Sequence, residues 1–246
     1  MSALTILSGG AAQGLVASLA PAFKAKTGLD IEGAFGAVGI MAGKLRGGIP
    51  ADIVLLTKAL IAILAQENLV TPASITDVGL VETAMAVRAG DPPVSASDPA
   101  SLRAALLGAD AIFVPDIKTS TAGLHVARVL RQLDIEDKVA ARLRIYPNGA
   151  TAMRHLAGSD ALRPIGCTQS TEIISTPGIV LSGSLPPGCE LSTIYTAAVA
   201  TRAAHGSQAQ LLIDLLTGAD QARLREGAGF LAAKNSRWDR CVWAAC

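Results

Sequence analysis

Apolar positions along the chain follow two alternating rhythms. Short runs dense in Ile, Val, Leu and Ala give way to stretches in which apolar residues return every three or four positions. The runs predict strands at 4–8, 31–35, 52–56, 84–88, 111–115, 144–147, 178–185 and 193–200. The second rhythm predicts helices near 11–26, 39–47, 58–67, 122–133, 149–157 and 206–226. In the first helix Leu15, Leu19 and Phe23 share one face, Lys24 and Lys26 sit in the last turn, and Gly28 stops it. In the helix at 58–67, Leu60, Ile63 and Leu64 are expected to face inward. Strands alternating with helices from end to end predict an α/β protein with parallel sheets.

The Pro/Ser/Asp-rich segment RAGDPPVSASDPAS (88–101) interrupts this alternation and reads as a linker or surface loop. Half of the 246 residues are hydrophobic, enough for a substantial core, and no apolar run is long enough to span a bilayer. A formal net charge of +1 and 3% aromatic residues give neither an electrostatic footprint nor stacking platforms for nucleic acid. Cys167, Cys189, Cys241 and Cys246 lack metal-ligand or CxxC spacing, so no metal is expected. The start MSALTILSGG has no basic segment followed by an apolar run and cleavage site. As given, the chain is therefore expected to be cytoplasmic, or periplasmic if a signal was removed.

Three loops share one design, in which a strand ends, small or hydroxylated residues follow, and a helix begins: SGGAAQG (8–14), GAVGIMAG (36–43) and KTSTAG (118–123). A helix N-terminus offers unpaired N–H groups and roughly half a positive charge, so each is a potential anion site. Small residues after a parallel strand can also serve packing and capping alone. The first loop is not GxGxxG and no GxxxxGK[ST] occurs, which argues against a nucleotide site.

The opening LTILSGGAAQGLVASLAPAFKAKTGLDIEGAFGAVGIMAGKLRGGIPADIVLLT, with its GIPADIV motif at 48–54, resembles the periplasmic molybdate-binding proteins of ABC transporters. TSTAGLHVARVLRQLDI (119–135), STIYTAAVA (192–200) and LIDLLTGADQARLREGAGF (212–230) extend the resemblance along the chain. It implies an α/β, two-lobed type II periplasmic-binding-protein fold with a ligand cleft between lobes joined by two crossing strands. Lobe one would comprise 1–84 plus 197–246, and lobe two 85–196. The helix N-termini would then point into one cleft from opposite sides.

The cleft departs from the molybdate pattern. Ser8 is kept, but Gly36, Ala37, Val38 and Gly39 supply no hydroxyl, Thr57 and Lys58 follow the third strand, and Gln169 stands where a tyrosine is expected. These changes, with MAVRAG (85–90) and PGIVLSGSLPPG (177–188), resemble the aconitate isomerase-like subgroup. That implies a cofactor-independent isomerase of a small unsaturated polycarboxylate, which moves a proton between allylic carbons while its carboxylates are clamped. Backbone N–H groups of Ser8, Gly9 and Gly10 and of Thr119, Ser120 and Thr121 would hold carboxylates, with Lys58 or Lys118 neutralising charge. Ala37, Val38, Thr57, Asn148, Gln169 and Tyr195 complete the ligand-facing set.

Lys58, Cys167 and His155 are the expected proton carriers. Each has a plainer reading: Lys58 opening a helix toward water, Cys167 a small core residue, His155 on a helix surface. His125, near the start of a lobe-two helix, could reach the cleft; Asp116 is open to either role, and Asp52 of PADI is expected to serve structure. The competing function is a solute receptor for molybdate, tungstate or an organic anion, the one case in which a membrane transporter is a partner. The tail KNSRWDRCVWAAC (234–246) would cover a lobe or mediate self-association.

Overall fold

The computed structural model describes residues 3–232, so the tail and the last part of the expected lobe one lie outside the described residues. The strands are β1 (Ala3–Gly9), β2 (Asp30–Gly36), β3 (Ile53–Thr57), β4 (Thr76–Arg88), β5 (Ala111–Pro115), β6 (Leu143–Tyr146), β7 (Pro164–Gln169), β8 (Ile179–Ser184) and β9 (Ser192–Val199). The helices are α1 (Gln13–Thr27), α2 (Val38–Arg46), α3 (Lys58–Gln66), α4 (Pro99–Gly108), α5 (Thr121–Gln132), α6 (Glu136–Val139), α7 (Gly149–Ala157), α8 (Ser170–Ile174), α9 (Gly206–Thr217) and α10 (Ala222–Gly227). Among the described residues the strands run in the order β2-β1-β3-β9-β4-β7-β5-β6, with β8 also on β4.

The sheet is mixed, and β4 carries the chain from one half to the other. Its residues 76–82 pair antiparallel with β9, while residues 83–88 pair with β7 and β8. β1 is parallel to β2 and β3 in the first half, and β5 is parallel to β6 and β7 in the second. Parallel neighbours put the junctions after β1, β2 and β3 at one edge of the first half-sheet and those after β5, β6 and β7 at one edge of the second, and such edges are where ligand crevices form in α/β folds. The molecule is a two-lobed type II binding-protein fold.

Each half has its own core. Leu4, Ile6, Leu15, Phe23, Leu55, Leu64, Ala198, Leu212 and Phe230 belong to one buried cluster. In the other half, alternation along the strands divides the core between two faces. Met85, Ile112, Val114 and Cys167 meet Val126 and Leu130 of α5, while Ala84, Ala86, Ala111 and Phe113 meet Ala152, Met153 and Leu156 of α7.

Several expectations change. β4 is longer than the predicted 84–88, because its first half pairs with β9 even though TDVGLVE is only partly apolar. β7 was not expected as a strand, since PIGCTQ mixes Pro, Gly and polar residues; all six are buried between α5 and α7. A Cβ at Gly166 would stand 2.6 Å from Met153 Cε, so close packing explains that glycine. The supposed linker contains the start of α4, where Asp98 and Ser101 form a reciprocal capping box. The helix expected at 206–226 breaks at Gly218, which is extended with φ −54° and ψ 144°. In α3 it is Ile61, not Ile63, that turns inward with Leu64; Ile63 is 43% exposed.

Asp52 fastens the first half together. Its Oδ2 accepts from Thr5 N–H and Oγ1 at 2.8 and 2.9 Å, and its Oδ1 accepts from His205 N–H at 2.8 Å. Burial alone would push this carboxyl up, yet the hydrogen bonds from Thr5 and His205 hold it below the usual carboxylate value.

Candidate functional site

Six chain segments meet around a narrow cavity of about 10 Å³ at the junctions of strands and helices. One wall is the 3-10 turn after β1 (Gly10, Ala11), the β2–α2 junction (Gly36, Ala37, Val38) and Tyr195 of β9. The facing wall is the start of α5 (Ser120, Thr121, Ala122), the start of α7 (Asn148, Gly149) and the β7–α8 junction (Gln169, Glu172). A larger groove of about 470 Å³ lies against α4, but among the described residues none of the buried polar atoms without a partner lies on it.

Local sequence explains how each helix presents its N-terminus. Asn148 Oδ1 accepts from Thr151 N–H at 2.8 Å and Ser120 Oγ from Gly123 N–H at 3.5 Å, while Ala37 supplies no side-chain cap to α2. None of α2, α5 and α7 has an acidic residue in its first turn. Three positive helix poles therefore face one small space, with no lysine or arginine among the described residues that line it. The Asp116 carboxylate shapes the approach to α5 by accepting from Lys118 N–H and from Thr119 N–H and Oγ1.

Gln169 marks the space as a binding site. It is 3% exposed, lines the cavity, and neither its amide oxygen nor its amide nitrogen has a partner among the described residues. An unpaired buried amide costs about 1–3 kcal/mol, so folding gains nothing from it there. Its cross-strand neighbour Thr83 also buries an unpartnered hydroxyl.

Glu172 is the acidic group on the wall. It is 5% exposed, its Oε2 accepts from Thr168 Oγ1 at 2.6 Å, and it accepts N–H bonds from Ala150, Gly149 and Gln169. Its carboxyl lies against Gly10 on one side and Gly149 on the other, where any Cβ would collide with it. Desolvation by burial outweighs these hydrogen bonds and raises the pKa. Tyr195, 2% exposed and edge-on to Phe230, has its phenol pKa raised by burial first and by Glu172 second.

Of the residues named from sequence, Gly10, Ala37, Val38, Ser120, Thr121, Asn148, Gln169 and Tyr195 come together on this wall. The others stand elsewhere. Ser8 is fully buried with its hydroxyl on Gly9 O, and Gly9 packs behind the wall against Tyr195 and Val38. Thr57 caps α3; Lys118 and Thr119 are exposed beside Asp116. Lys58 is 60% exposed and paired with Asp77 at 2.7 Å. Cys167 sits in the core, where burial pushes its thiol up to about 12. His155 is exposed and stacks on Tyr146 at the far end of α7. His125 is buried with Nε2 on Cys189 O at 2.8 Å and is not on the wall.

Sequence reasoning missed Glu172 and Gly149. The one available signal was Glu172 at the third position of α8, where its carboxylate reaches back to the Gln169 N–H as in half a capping box.

The family described as bacterial extracellular solute-binding protein matches residues 4–231. The chain belongs to that family. Among solved structures, this solute-binding-protein chain superposes on the periplasmic molybdate-binding protein of Azotobacter vinelandii with TM-score 0.78 and 18% identity, over 94% of this chain and 100% of that one. It superposes on the sulfate-binding protein SubI of Mycobacterium tuberculosis with TM-score 0.73 and 18% identity, over 96% and 88% of the two chains. Identities this low show the shared fold alone. A curated relative, an aconitate isomerase from a Pseudomonas species, is 27% identical over 93% of this chain and 87% of its own length.

Proposed function

We propose that this solute-binding-protein scaffold is an isomerase of a small unsaturated polycarboxylate, moving a proton across an allylic system. The observation that carries it is a buried carboxyl, Glu172, in a cavity otherwise built to attract anions. A site that only held an anion would be weakened by a carboxylate among its helix poles; a site that exchanges protons needs such a group. The Gln169 amide and the poles of α2 and α5 supply places for carboxylates, and Tyr195 supplies a hydroxyl donor. The aconitate isomerase relative supports the same reading. The shift needs no cofactor, because the proton that leaves one carbon is balanced by the one that arrives at the other.

The test is to incubate the protein with cis-aconitate and with trans-aconitate and follow each by proton NMR. Interconversion is the expected result; no conversion of either, nor of a panel of unsaturated dicarboxylates, overturns the reading.

A second reading, a receptor for an oxyanion or organic anion serving an ABC transporter, is favoured by family membership. Thermal-shift titration separates the two: stabilisation by molybdate, tungstate or sulfate without turnover of aconitate supports the receptor. The family's extracellular description also supports the periplasmic alternative, and no comparison supports a cytoplasmic location.

A further inference from the structure

We infer that Glu172 is the group that takes the proton from one end of the substrate's allyl system and delivers it to the other, with Thr168 as its positioning residue. This rests on the isomerase reading above. Among the described residues the cavity lining offers two titratable side chains, Glu172 and Tyr195, since the 3-10 turn and the starts of α2, α5 and α7 present glycine, alanine, valine, serine, threonine and asparagine. Tyr195 is held in its protonated form and serves as a donor to substrate oxygen. Glu172 alone can both accept and give up a proton.

The carboxyl is also aimed. Oε2 is tied to Thr168 Oγ1 at 2.6 Å, while Oε1 lies toward Gly10 on the opposite wall, 2.5 Å from the point where a Cβ would sit. Gly10 and Gly149 carry no side chain, and that is what lets the carboxyl pack between the two walls, with Oε1 against the Gly10 backbone and Oε2 against that of Gly149. The side chains expected to move protons are engaged elsewhere: Lys58 with Asp77 on the surface, Cys167 in the core, His155 on Tyr146.

The step balances without a co-reactant. Ionised Glu172 takes a proton from the substrate methylene, and the C–H electron pair becomes the new C=C bond. The pair of the old double bond forms a C–H bond at the distal carbon with the proton returned from the Glu172 carboxyl. Glu172 ends ionised, and the double bond has moved by one position.

The experiment measures cis/trans-aconitate interconversion and trans-aconitate binding for wild type, Glu172→Gln, Glu172→Asp and Thr168→Val. Glu172→Gln keeps the hydrogen-bonding shape but cannot exchange a proton, so kcat falls by about 1,000-fold while the trans-aconitate Kd stays within about fivefold. Glu172→Asp recovers at least about tenfold of that loss. Thr168→Val lowers kcat far less than Glu172→Gln does, and the acidic limb of its kcat/KM profile moves to higher pH, because a hydrogen bond that favoured the ionised carboxylate is gone. Glu172→Gln with more than about a tenth of wild-type kcat overturns the assignment alone. Loss of binding together with turnover in Glu172→Gln overturns it too, and an unmoved limb in Thr168→Val overturns the positioning role. An inert wild type overturns the functional reading and this assignment with it.

Discussion

Gln169 and Gly149 test the site at the scale of the single residue. The Gln169 amide is buried with both ends unpartnered, so replacing it by Leu removes a cost to folding and a contact to ligand at once. Gln169→Leu is expected to raise the urea midpoint by the equivalent of about 1 kcal/mol and to weaken trans-aconitate binding by roughly tenfold or more. A variant that lost stability and kept affinity would show the amide to be structural. Gly149→Ala gains about 1 kcal/mol of helix propensity. Against this, its Cβ would overlap Glu172 Oε2 and Thr168 Oγ1, and overpacking costs about 1–3 kcal/mol before the displaced hydrogen bonds are counted. We expect a lower urea midpoint and loss of turnover, measured on the same preparation. Gln169 was legible in the sequence because it departs from a familiar pattern. Glu172 was not, because TQSTEI reads as an ordinary helix start and its chemistry arises from burial against Gly10 and Gly149.

At the scale of the element, α7 has two ends with different work. Its N-terminus, capped by Asn148, supplies the N–H groups of Gly149 and Ala150 to Glu172, while its C-terminal turn carries His155 on the surface. Asn148→Ala is expected to cost about 1 kcal/mol of stability, the usual worth of a side-chain cap. It is also expected to lower kcat, because the pole holding Glu172 is loosened. Asp98→Ala removes the equivalent cap of α4, away from the cavity, and should cost a similar amount of stability with no change in kcat. Denaturation midpoints and turnover measured on the pair separate a local stability effect from one on the site. The helix starts around the cavity were readable because capping and small-residue loops are local signals. β7 was not, because its six residues satisfy neither strand alternation nor strand propensity and are held by burial on both faces.

The whole molecule depends on carboxyls whose proton affinities move in opposite directions. Asp52 is held below its ordinary value, so the stability it contributes is complete above about pH 4, its unfolded value, and is lost as pH falls through the folded one. Glu172 is raised, so its favourable contribution is complete below its unfolded value and is lost as pH rises through the folded one. Asp52→Ala strands the Thr5 and His205 donors and should cost about 2–4 kcal/mol at neutral pH. The difference from wild type should shrink when urea melts are repeated toward pH 3, and a constant difference would contradict the assignment of that pH dependence to Asp52. Glu172→Gln should flatten the stability profile on the alkaline side instead.

By itself the sequence determined the alternation of strands and helices, the small-residue loops that open the helices, and the structural use of Asp52. These rest on neighbours a few residues apart, or on a motif compact enough to read directly. Only the tertiary structure decided which loops share a cavity, that Lys58, Cys167 and His155 stand apart from it, and that Glu172 lies within it. The reason is physical: proton affinity and ligand contact are set by desolvation and by groups brought from distant segments, and one side of Glu172 is completed by Gly10 from the opposite wall.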